Sequence, residues 1–285
     1  MELWFIFGLI GYIISAFANI LDKYMMNQKY HPVTTVLLRA LFNAVFLGFV
    51  GFMFLNISIT PIVLLLAIIP AFLLAITFVI WLFVLQRKKI SDIQPFSQSL
   101  DALFIFLASI IVLNEKASLV NYVGILLIVI GIYLVLTEHV MKVPRLDRNF
   151  LIIIALVPGD IAYALILKIY LGTAEPIALA ISIYMMAFLF LIIISLFMRK
   201  KLQLKISSLK SQLNIVFIAS LCAATSIALV YTALSQANAS KIYPMAGINS
   251  LTVFILATLF LKEKFYRHRF IGALIIFLGI YLISL

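Results

Sequence analysis

The sequence contains one pattern twice, once in each half of the chain. The earlier copy occupies residues 93–134 and the later copy residues 242–282, and both run from an Ile-x-Pro to a Gly-Ile-Tyr-Leu string. Four matched pairs are 148 residues apart, and a fifth is 149 apart: Glu115/Glu263, Gly124/Gly272, Gly131/Gly279 and Tyr133/Tyr281, then Pro95/Pro244. A repeat at about half the chain length indicates an internal duplication, so any fold must be built from two similar halves.

The composition places this duplicated chain in a membrane. Of its 285 residues, 66% are hydrophobic and only 11% are charged, too few to cover a soluble protein of this size. The first apolar run follows a start without basic residues, which predicts a membrane helix rather than a cleaved signal. A lone Cys222 excludes an internal disulfide and argues against a metal cluster. The net charge of +11 lies in short gaps between apolar runs, which is not the pattern of a nucleic-acid-binding face.

Ten apolar runs of roughly 20 residues each predict ten helices that cross a hydrocarbon core of about 30 Å. They cover residues 3–21, 33–55, 62–85, 93–113, 119–137, 150–171, 176–198, 213–234, 242–261 and 270–285. The predicted organisation is a first repeat over 1–137, a linker over 138–149 and a second repeat over 150–285. Because five is odd, the two copies must enter the membrane with opposite orientation. The predicted fold class is therefore an all-α integral membrane protein of two inverted five-helix repeats, which places a substrate site near the midplane between them.

The matched residues also carry a family resemblance. Each half resembles the EamA domain of the drug/metabolite transporter superfamily, in which a helix with an internal Pro ends in Leu-x-x-Glu and a Gly-rich helix follows. Leu261, Glu263, Gly272 and Gly279 fit this pattern after Pro244, as does the earlier copy. The resemblance implies a ten-helix secondary transporter, with helices one to four and six to nine around a cavity and helices five and ten outside it. It implies no particular substrate.

The distribution of basic residues predicts the orientation. Gaps after the odd-numbered helices carry seventeen Lys and Arg residues, whereas the other side carries Lys116, Lys168 and Lys241. The positive-inside rule then places both termini outside the cell. Members of the family that the chain resembles are more usually drawn with both termini in the cytoplasm, so charge and resemblance predict opposite orientations. We follow the charge.

Polar groups within the apolar runs indicate where function lies, because each is costly in lipid unless it is paired or hydrated. Asp101 and Asp160 fall near the middle of the fourth and sixth runs. Gln94, Gln98 and Asp101 recur at helical spacing, with Ser97 beside them, as one polar stripe on helix four. Further polar positions lie on helices one, eight and nine: Ser15, Asn19 and Asp22, then Thr225, Thr232 and Gln236, then Asn249 and Thr252.

Two acidic residues lead the set of candidate binding residues. We expect Asp101 and Asp160 to bind a proton or the cationic group of a substrate, with polar and aromatic side chains around them. The full set is Asp101, Asp160, Asn19, Gln98, Tyr163, Asn249, Arg39, Trp81 and Tyr231. Arg39 is expected to pair with one of the two acids or to extend to the membrane interface. The amides have interhelical hydrogen bonding as an equal alternative, and Ser and Thr often bond to their own helix.

These patterns favour a transporter over an enzyme. The sequence has no phosphate-binding Gly loop, no metal-ligand spacing and no Ser-His-Asp set within reach of one helix, so we expect no catalysis, cofactor or metal. The predicted function is gradient- or proton-coupled transport of a small polar metabolite, amino acid or organic cation by alternating access. A lipid scramblase or flippase is the alternative, and an intramembrane aspartyl protease a remote one. The expected partners are a small-molecule substrate, the lipid bilayer and a coupling proton, in a multi-pass monomer or homodimer of the cell membrane.

Overall fold

The ten predicted membrane segments are helical in the computed structural model, which describes residues 2–116, 118–136, 147–197, 206–263 and 266–284. The helices are α1 Leu3–Asn27, α2 Pro32–Phe54, α3 Pro61–Leu85, α4 Ile90–Val112, α5 Leu119–Leu136, α6 Arg148–Tyr170, α7 Pro176–Phe197, α8 Ile206–Gln236, α9 Ala239–Ile242, α10 Ala246–Phe260 and α11 Arg267–Ser284. The ninth span consists of α9, a 3-10 turn and α10, and α11 is the tenth. No strand occurs within these described ranges, which confirms the all-α prediction. The predicted linker 138–149 lies mostly outside them.

Length and composition allow these helices to cross a membrane. Eight spans in the described part of the chain are long and apolar enough, and α5 and α11 contain shorter apolar segments, 119–131 and 270–279. Pro32 and Pro61 begin α2 and α3, where a missing N–H costs nothing. Pro70 lies inside α3, and Pro95 and Pro158 lie inside α4 and α6; all three helices continue through them. Neighbouring helices make such interruptions tolerable in a membrane.

Several helices extend beyond their apolar runs, and two of them bear on the cavity and its ends. The first was predicted to end at residue 21, but α1 continues to Asn27 and carries Asp22 and Lys23 as buried residues. The ninth begins three residues before the predicted start and contains a 3-10 turn, Tyr243–Met245, around Pro244. The boundary errors share one cause. Apolar content predicts where lipid can be, whereas buried polar side chains are stabilised by protein neighbours that the sequence alone does not reveal.

Eight spans form a closed ring in the order α1, α8, α2, α7, α3, α6, α4 and α10, and α10 packs again on α1. Exchanging the two repeats turns the α1–α8 contact into α6–α3, the α2–α8 contact into α7–α3 and the α1–α10 contact into α6–α4. The contacts α2–α7, α4–α10 and α5–α11 map onto themselves. This is the contact pattern of a two-fold axis in the membrane plane, so the predicted inverted repeat is confirmed. Each ring contact joins helices from different repeats.

The α5 and α11 helices pack against each other outside the ring. A Cβ atom on Gly131 would lie 2.5 Å from Ile276 Cγ1 and 2.8 Å from the Gly272 carbonyl oxygen. A Cβ atom on Gly279 would lie 2.6 Å from the Gly124 carbonyl oxygen. The two backbones therefore touch directly, as small residues permit in membrane helices. The repeated glycines therefore contact protein neighbours.

The ends of α4 and α10 have the same backbone structure. Asn114 and Lys262 both have a φ of 54°, the left-handed conformation that ends a helix. In each copy the next residue is a glutamate, and its N–H donates to a carbonyl six residues earlier: Glu115 to Ser109 at 3.4 Å and Glu263 to Ala257 at 3.2 Å. The turn thus has the same backbone conformation in both copies. It orients the two glutamates in the same way.

Candidate functional site

A cavity of about 310 Å³ lies inside the eight-helix ring. Every ring helix contributes to its lining, and none of the described residues of α5 or α11 does. This confirms the expected division between cavity-forming and outer helices. The lining runs from the middle of the helices toward the end where α1 and α3 stop and α4 begins, which we call the basic end. The end where α6 and α8 stop and α9 begins is the opposite end.

The cavity collects most of the predicted site. Seven of the nine candidates line it: Asn19, Arg39, Trp81, Gln98, Asp101, Asp160 and Asn249. The polar stripes of helices one and four also face it, through Ser15, Asn19 and Asp22 on α1 and through Gln94, Ser97, Gln98 and Asp101 on α4. Periodicity alone located these two faces, because polar residues at helical spacing within an apolar run must share one side of the helix.

Asp101 and Asp160 face the same cavity from adjacent ring helices, α4 and α6. They are close enough to interact electrostatically. The Asp101 Oδ2 atom accepts a hydrogen bond from Ser97 Oγ at 3.5 Å, whereas its Oδ1 atom is buried without a protein partner. Buried carboxylate oxygens are costly unless something pairs with them. Because Asp101 lines the cavity, this unpaired oxygen is a candidate acceptor for a cation, a proton or water.

Arg39 is paired with a different acid from the two that we expected. Its Nη1 atom donates to Asp22 Oδ1 at 2.8 Å, and both side chains are almost completely buried. The guanidinium also lies over the Phe78 ring, 5.8 Å from its centroid. The predicted pairing with Asp101 or Asp160 and the predicted extension to the interface are both wrong. The spacing of Asp22 from Ser15 and Asn19 places it on the polar face of helix one, although it follows the last residue of the apolar run.

This ion pair decides the charge that the cavity presents. Among the described lining residues, Arg39 is the one that always carries a positive charge, and Asp22 neutralises it. Asp101 and Asp160 are left without a cationic partner among these residues. Their charge is therefore uncompensated whenever they are ionised.

Three side-chain amides form a network across α1, α4 and α10. Asn249 Oδ1 accepts hydrogen bonds from Asn19 Nδ2 and from Gln94 Nε2, both at 3.1 Å, and Asn249 Nδ2 donates to the Tyr12 carbonyl oxygen at 3.2 Å. Asn249 thus has the interhelical role that was the alternative for these amides. Gln94 donates from its NH₂ group here, and its Oε1 atom is buried without a partner. Asn43 Oδ1 is likewise buried without a partner. The cavity is consequently rich in unpaired acceptors.

Tyr163 and Tyr231 do not line the cavity. Their hydroxyl groups hydrogen-bond to each other between α6 and α8, toward the opposite end. Tyr243 lies nearby and donates from its hydroxyl group to the Ala164 carbonyl oxygen at 3.4 Å. These tyrosines close the side of the cavity on which the lining stops. Both tyrosines were predicted to be binding residues, but their hydroxyl groups bind each other instead of facing the cavity.

Three threonines of the predicted polar positions bond to their own helix. Thr225, Thr232 and Thr252 each donate to the carbonyl four residues earlier, at 2.7–2.9 Å. On α8 the cavity is lined instead by Ala223, Ser226 and Ile227. Asn43 and Tyr184 were not among the predicted binding residues, and both line the cavity; Asn43 lies one turn after Arg39 on α2. No cluster of metal-ligating side chains occurs in the described part of the chain.

Comparison with known proteins agrees with this architecture. The model of the EamA-like transporter family matches the chain twice, over residues 2–137 and 150–285. A solved structure described only as "Crystal structure of protein" superposes with a TM-score of 0.71 over 97% of this chain and 94% of that one, at 11% identity. At this identity the likeness shows the fold alone. A search of curated proteins finds no match. With both halves matched over nearly their whole length, the chain is a multi-pass membrane protein that belongs to the EamA-like transporter family.

Proposed function

We propose that this protein is a secondary active transporter of the cell membrane that moves a small polar solute with a cationic group, such as an amine, an amino acid or another organic cation. Transport proceeds by alternating access and is driven by a proton gradient or another solute gradient. Both termini lie outside the cell, and the cavity extends toward the cytoplasm. The proposal rests mainly on one observation. Asp101 and Asp160 face a cavity in which Arg39 is already neutralised by Asp22.

The chemistry of the lining supports a solute with several hydrogen-bond donors. Asp101 Oδ1, Gln94 Oε1 and Asn43 Oδ1 are unpaired acceptors, and each of their residues lines the cavity. An ammonium group has three donors and no acceptor, so it complements such a set. The aromatic ring of Trp81 lines the same space and can add a cation–π contact. An anionic solute would meet the two acids without a free cation to balance it.

The lining of the cavity supports a small solute over a lipid. All eight ring helices contribute side chains to it, so a ligand there contacts protein from every part of the ring. A scramblase needs a polar groove that is open to lipid along its length. Family membership likewise supports transport over proteolysis by the two acids.

Uptake by proteoliposomes tests the proposal. The purified protein is reconstituted with an imposed pH gradient, and uptake is measured for L-lysine, putrescine and ethidium, with L-glutamate as an anionic comparison. We expect at least one of the cations to accumulate in a protein-dependent way and L-glutamate not to. Movement of fluorescent phospholipids between leaflets, without cation uptake, would instead indicate the scramblase class.

A further inference from the structure

Two lysines, one buried and one partly buried, make the same contact at opposite ends of the cavity. Lys23 Nζ on α1 donates to the carbonyl oxygens of Leu85 at 2.7 Å and Lys88 at 2.6 Å, where α3 ends. Lys168 Nζ on α6 donates to the carbonyl oxygens of Leu234 at 2.8 Å and Ala237 at 2.7 Å, where α8 ends. The acceptors are 149 residues apart in both cases. The final carbonyls of a helix lack intrahelical partners and carry partial negative charge, so an ammonium group satisfies them well.

A lysine near the end of a membrane helix is usually an interfacial anchor, but these two bind backbone carbonyls. Lys23 is only 5% exposed, and Lys168 is partly buried. A membrane anchor extends its charged group to water. Here both ammonium groups bind backbone carbonyls. A charge within a membrane protein is costly unless it is paired in this way.

A glutamate from the other repeat binds the start of a helix near each contact. Glu263 accepts hydrogen bonds from the N–H groups of Ile90 at 3.2 Å and Ser91 at 3.1 Å, where α4 begins. Glu115 accepts from the N–H groups of Ala239 and Ser240, both at 2.9 Å, where α9 begins. Glu263 attracts Lys23, and Glu115 attracts Lys168. Each end therefore has a lysine on the end of one helix and a glutamate on the start of the next.

The ring order shows what these contacts join. The neighbours of α1 in the ring are α8 and α10, whereas those of α3 are α7 and α6. Lys23 thus connects two helices that face each other across the basic end of the cavity. By the two-fold relation, Lys168 connects α6 and α8 across the opposite end, where Tyr163 and Tyr231 also meet.

We infer that Lys23 and Lys168 are the positioning residues that hold the two mouths of the cavity shut in turn. The basic-end latch comprises Lys23, the carbonyls of Leu85 and Lys88, and Glu263. The opposite-end latch comprises Lys168, the carbonyls of Leu234 and Ala237, and Glu115. The hydrogen bonds of both lysines are formed in this structure. The inference rests on the proposed alternating access, because a solute can leave through one mouth only when α1 and α3, or α6 and α8, separate.

The two latches predict effects of opposite sign. Opening the basic end must break both hydrogen bonds of Lys23 while those of Lys168 remain, and the reverse holds at the other end. Lys23→Met removes hydrogen bonds that must break before the basic end opens. The equilibrium therefore shifts toward the state that is open at the basic end. Replacing Lys168 by Met shifts it toward the opposite side. A lysine that merely supported the fold would change stability without this change of sign.

The test measures access to the cavity from each side. Cys222 is replaced by Ala, Ser15 in the cavity lining is replaced by Cys, and a membrane-impermeant maleimide is applied to either face of oriented vesicles without added solute. We expect Lys23→Met to raise the ratio of basic-end to opposite-end labelling rates, and Lys168→Met to lower it. Each change should be about tenfold, the order expected when charge-assisted hydrogen bonds are lost from one of two states. Lys89→Met and Lys116→Met, at exposed lysines of the two ends, are the matched controls and should leave the ratio unchanged.

A second variant and a second readout keep the outcomes separate. If Lys23→Met does not fold, Glu263→Gln removes the charge that attracts Lys23 and should shift the ratio in the same direction by less. Shifts of the same sign, or no shift in folded variants, would overturn the latch inference even if the protein transports a solute. Opposite shifts in a protein that takes up none of the tested cations would support the latches and count against the proposed function.

Discussion

The two ends of the cavity share a backbone framework but differ in the side chains behind it. Both have a lysine on terminal carbonyls, a glutamate on helix N–H groups and a left-handed residue before that glutamate. Behind this framework the basic end has Asp22, Arg39 and Gln94 facing the cavity. The opposite end has the tyrosine pair Tyr163 and Tyr231. The two halves share the contacts between helix ends, whereas the side chains that face the cavity differ.

This difference explains why the cavity is not symmetric, although the ring around it is. By the 149-residue offset, Tyr243 corresponds to Gln94, and Tyr231 corresponds to Leu82. Bulky hydroxyl-bearing rings fill one end, whereas an amide and an ion pair leave space at the other. The polar lining therefore extends in one direction only, from Asp101 and Asp160 toward the basic end.

The largest expected effect is the loss of the central charge. Asp101→Asn keeps the shape of the side chain and most of its hydrogen bonding but cannot ionise. Hydrogen bonds to charged groups contribute about 1.5–3 kcal/mol, so the affinity for a cationic solute should fall about ten- to hundredfold. Binding is measured by calorimetry in detergent. Asp92→Asn, on the same helix but outside the cavity lining, is the matched control, and an equal loss in that variant would refute the charge argument.

The same carboxylates predict a pH dependence. If Asp101 or Asp160 binds the cation as an ionised group, the affinity should rise with pH while that group loses its proton. If the group carries the coupling proton, transport should show proton–solute exchange that Asn at that position abolishes. Both readings are checked by measuring uptake and internal pH together in proteoliposomes. Normal transport across the pH range by both Asp101→Asn and Asp160→Asn would make the acids structural.

A bulky substitution between α5 and α11 should lower the stability of the protein without changing its affinity for the solute. Gly131→Leu places a side chain where even a Cβ atom would approach backbone within 2.8 Å, so the two helices must separate. We expect a lower melting temperature and a smaller folded fraction, with unchanged solute affinity in the protein that does fold. Gly48→Leu is the control, because a Cβ atom there meets only Phe52, at 3.8 Å. Weakened binding without loss of stability would contradict the placement of this pair outside the site.

Removing a single hydroxyl from the opposite end should have a moderate effect. Tyr163→Phe breaks the hydrogen bond to Tyr231 and removes one contact, about 0.5–1.5 kcal/mol, from the closed state of that end. Labelling of a cavity cysteine from that side should rise a few-fold, less than in Lys168→Met. Tyr170→Phe on the same helix provides the comparison. A rise in labelling from the basic end instead would be inconsistent with the assigned position of the pair.

The smallest effect is expected at the start of α6, outside the membrane. Asp147 accepts hydrogen bonds from the N–H groups of Asn149 and Phe150 and pairs with Lys88. Burial alone would raise the pKa of Asp147, but the hydrogen bonds from Lys88, Phe150 and Asn149 outweigh it and lower the pKa below its ordinary value. The stabilisation is thus present above the ordinary pKa and is lost as the pH falls through the lowered one. Asp147→Ala should cost about 0.5–1 kcal/mol near neutral pH.

Thermal melts in detergent at neutral and acidic pH check this prediction. Wild type and Asp147→Ala should differ near pH 7 and converge at strongly acidic pH, where the wild-type carboxylate is protonated. Asp92→Asn, at an acidic residue in the first turn of α4, provides a comparison for the melting temperatures. A difference that persists in acid would show that the aspartate acts through packing.

The sequence was sufficient for the fold and for part of the site, for reasons that particular residues illustrate. The matched glycines of α5 and α11 are seven residues apart, a spacing that puts them on one helix face, and the two helices pack through these glycines. The stripe from Gln94 to Asp101 predicted a cavity wall by its spacing. Partners could not be predicted in this way. Asp22 pairs with Arg39, Glu263 reaches α4, and both contacts depend on how distant segments pack, which periodicity within one helix does not contain.

The central claim is that Asp101 and Asp160 select a cationic solute, and the small molecule that co-purifies with the protein tests it most directly. Mass spectrometry is applied to wild type and to the Asp101→Asn, Asp160→Asn double variant, purified identically and matched for folded protein. We predict a small amine, amino acid or organic cation in the wild-type sample that is absent from the double variant. A phospholipid held equally by both proteins, or an anionic metabolite held by the wild type, would contradict the account.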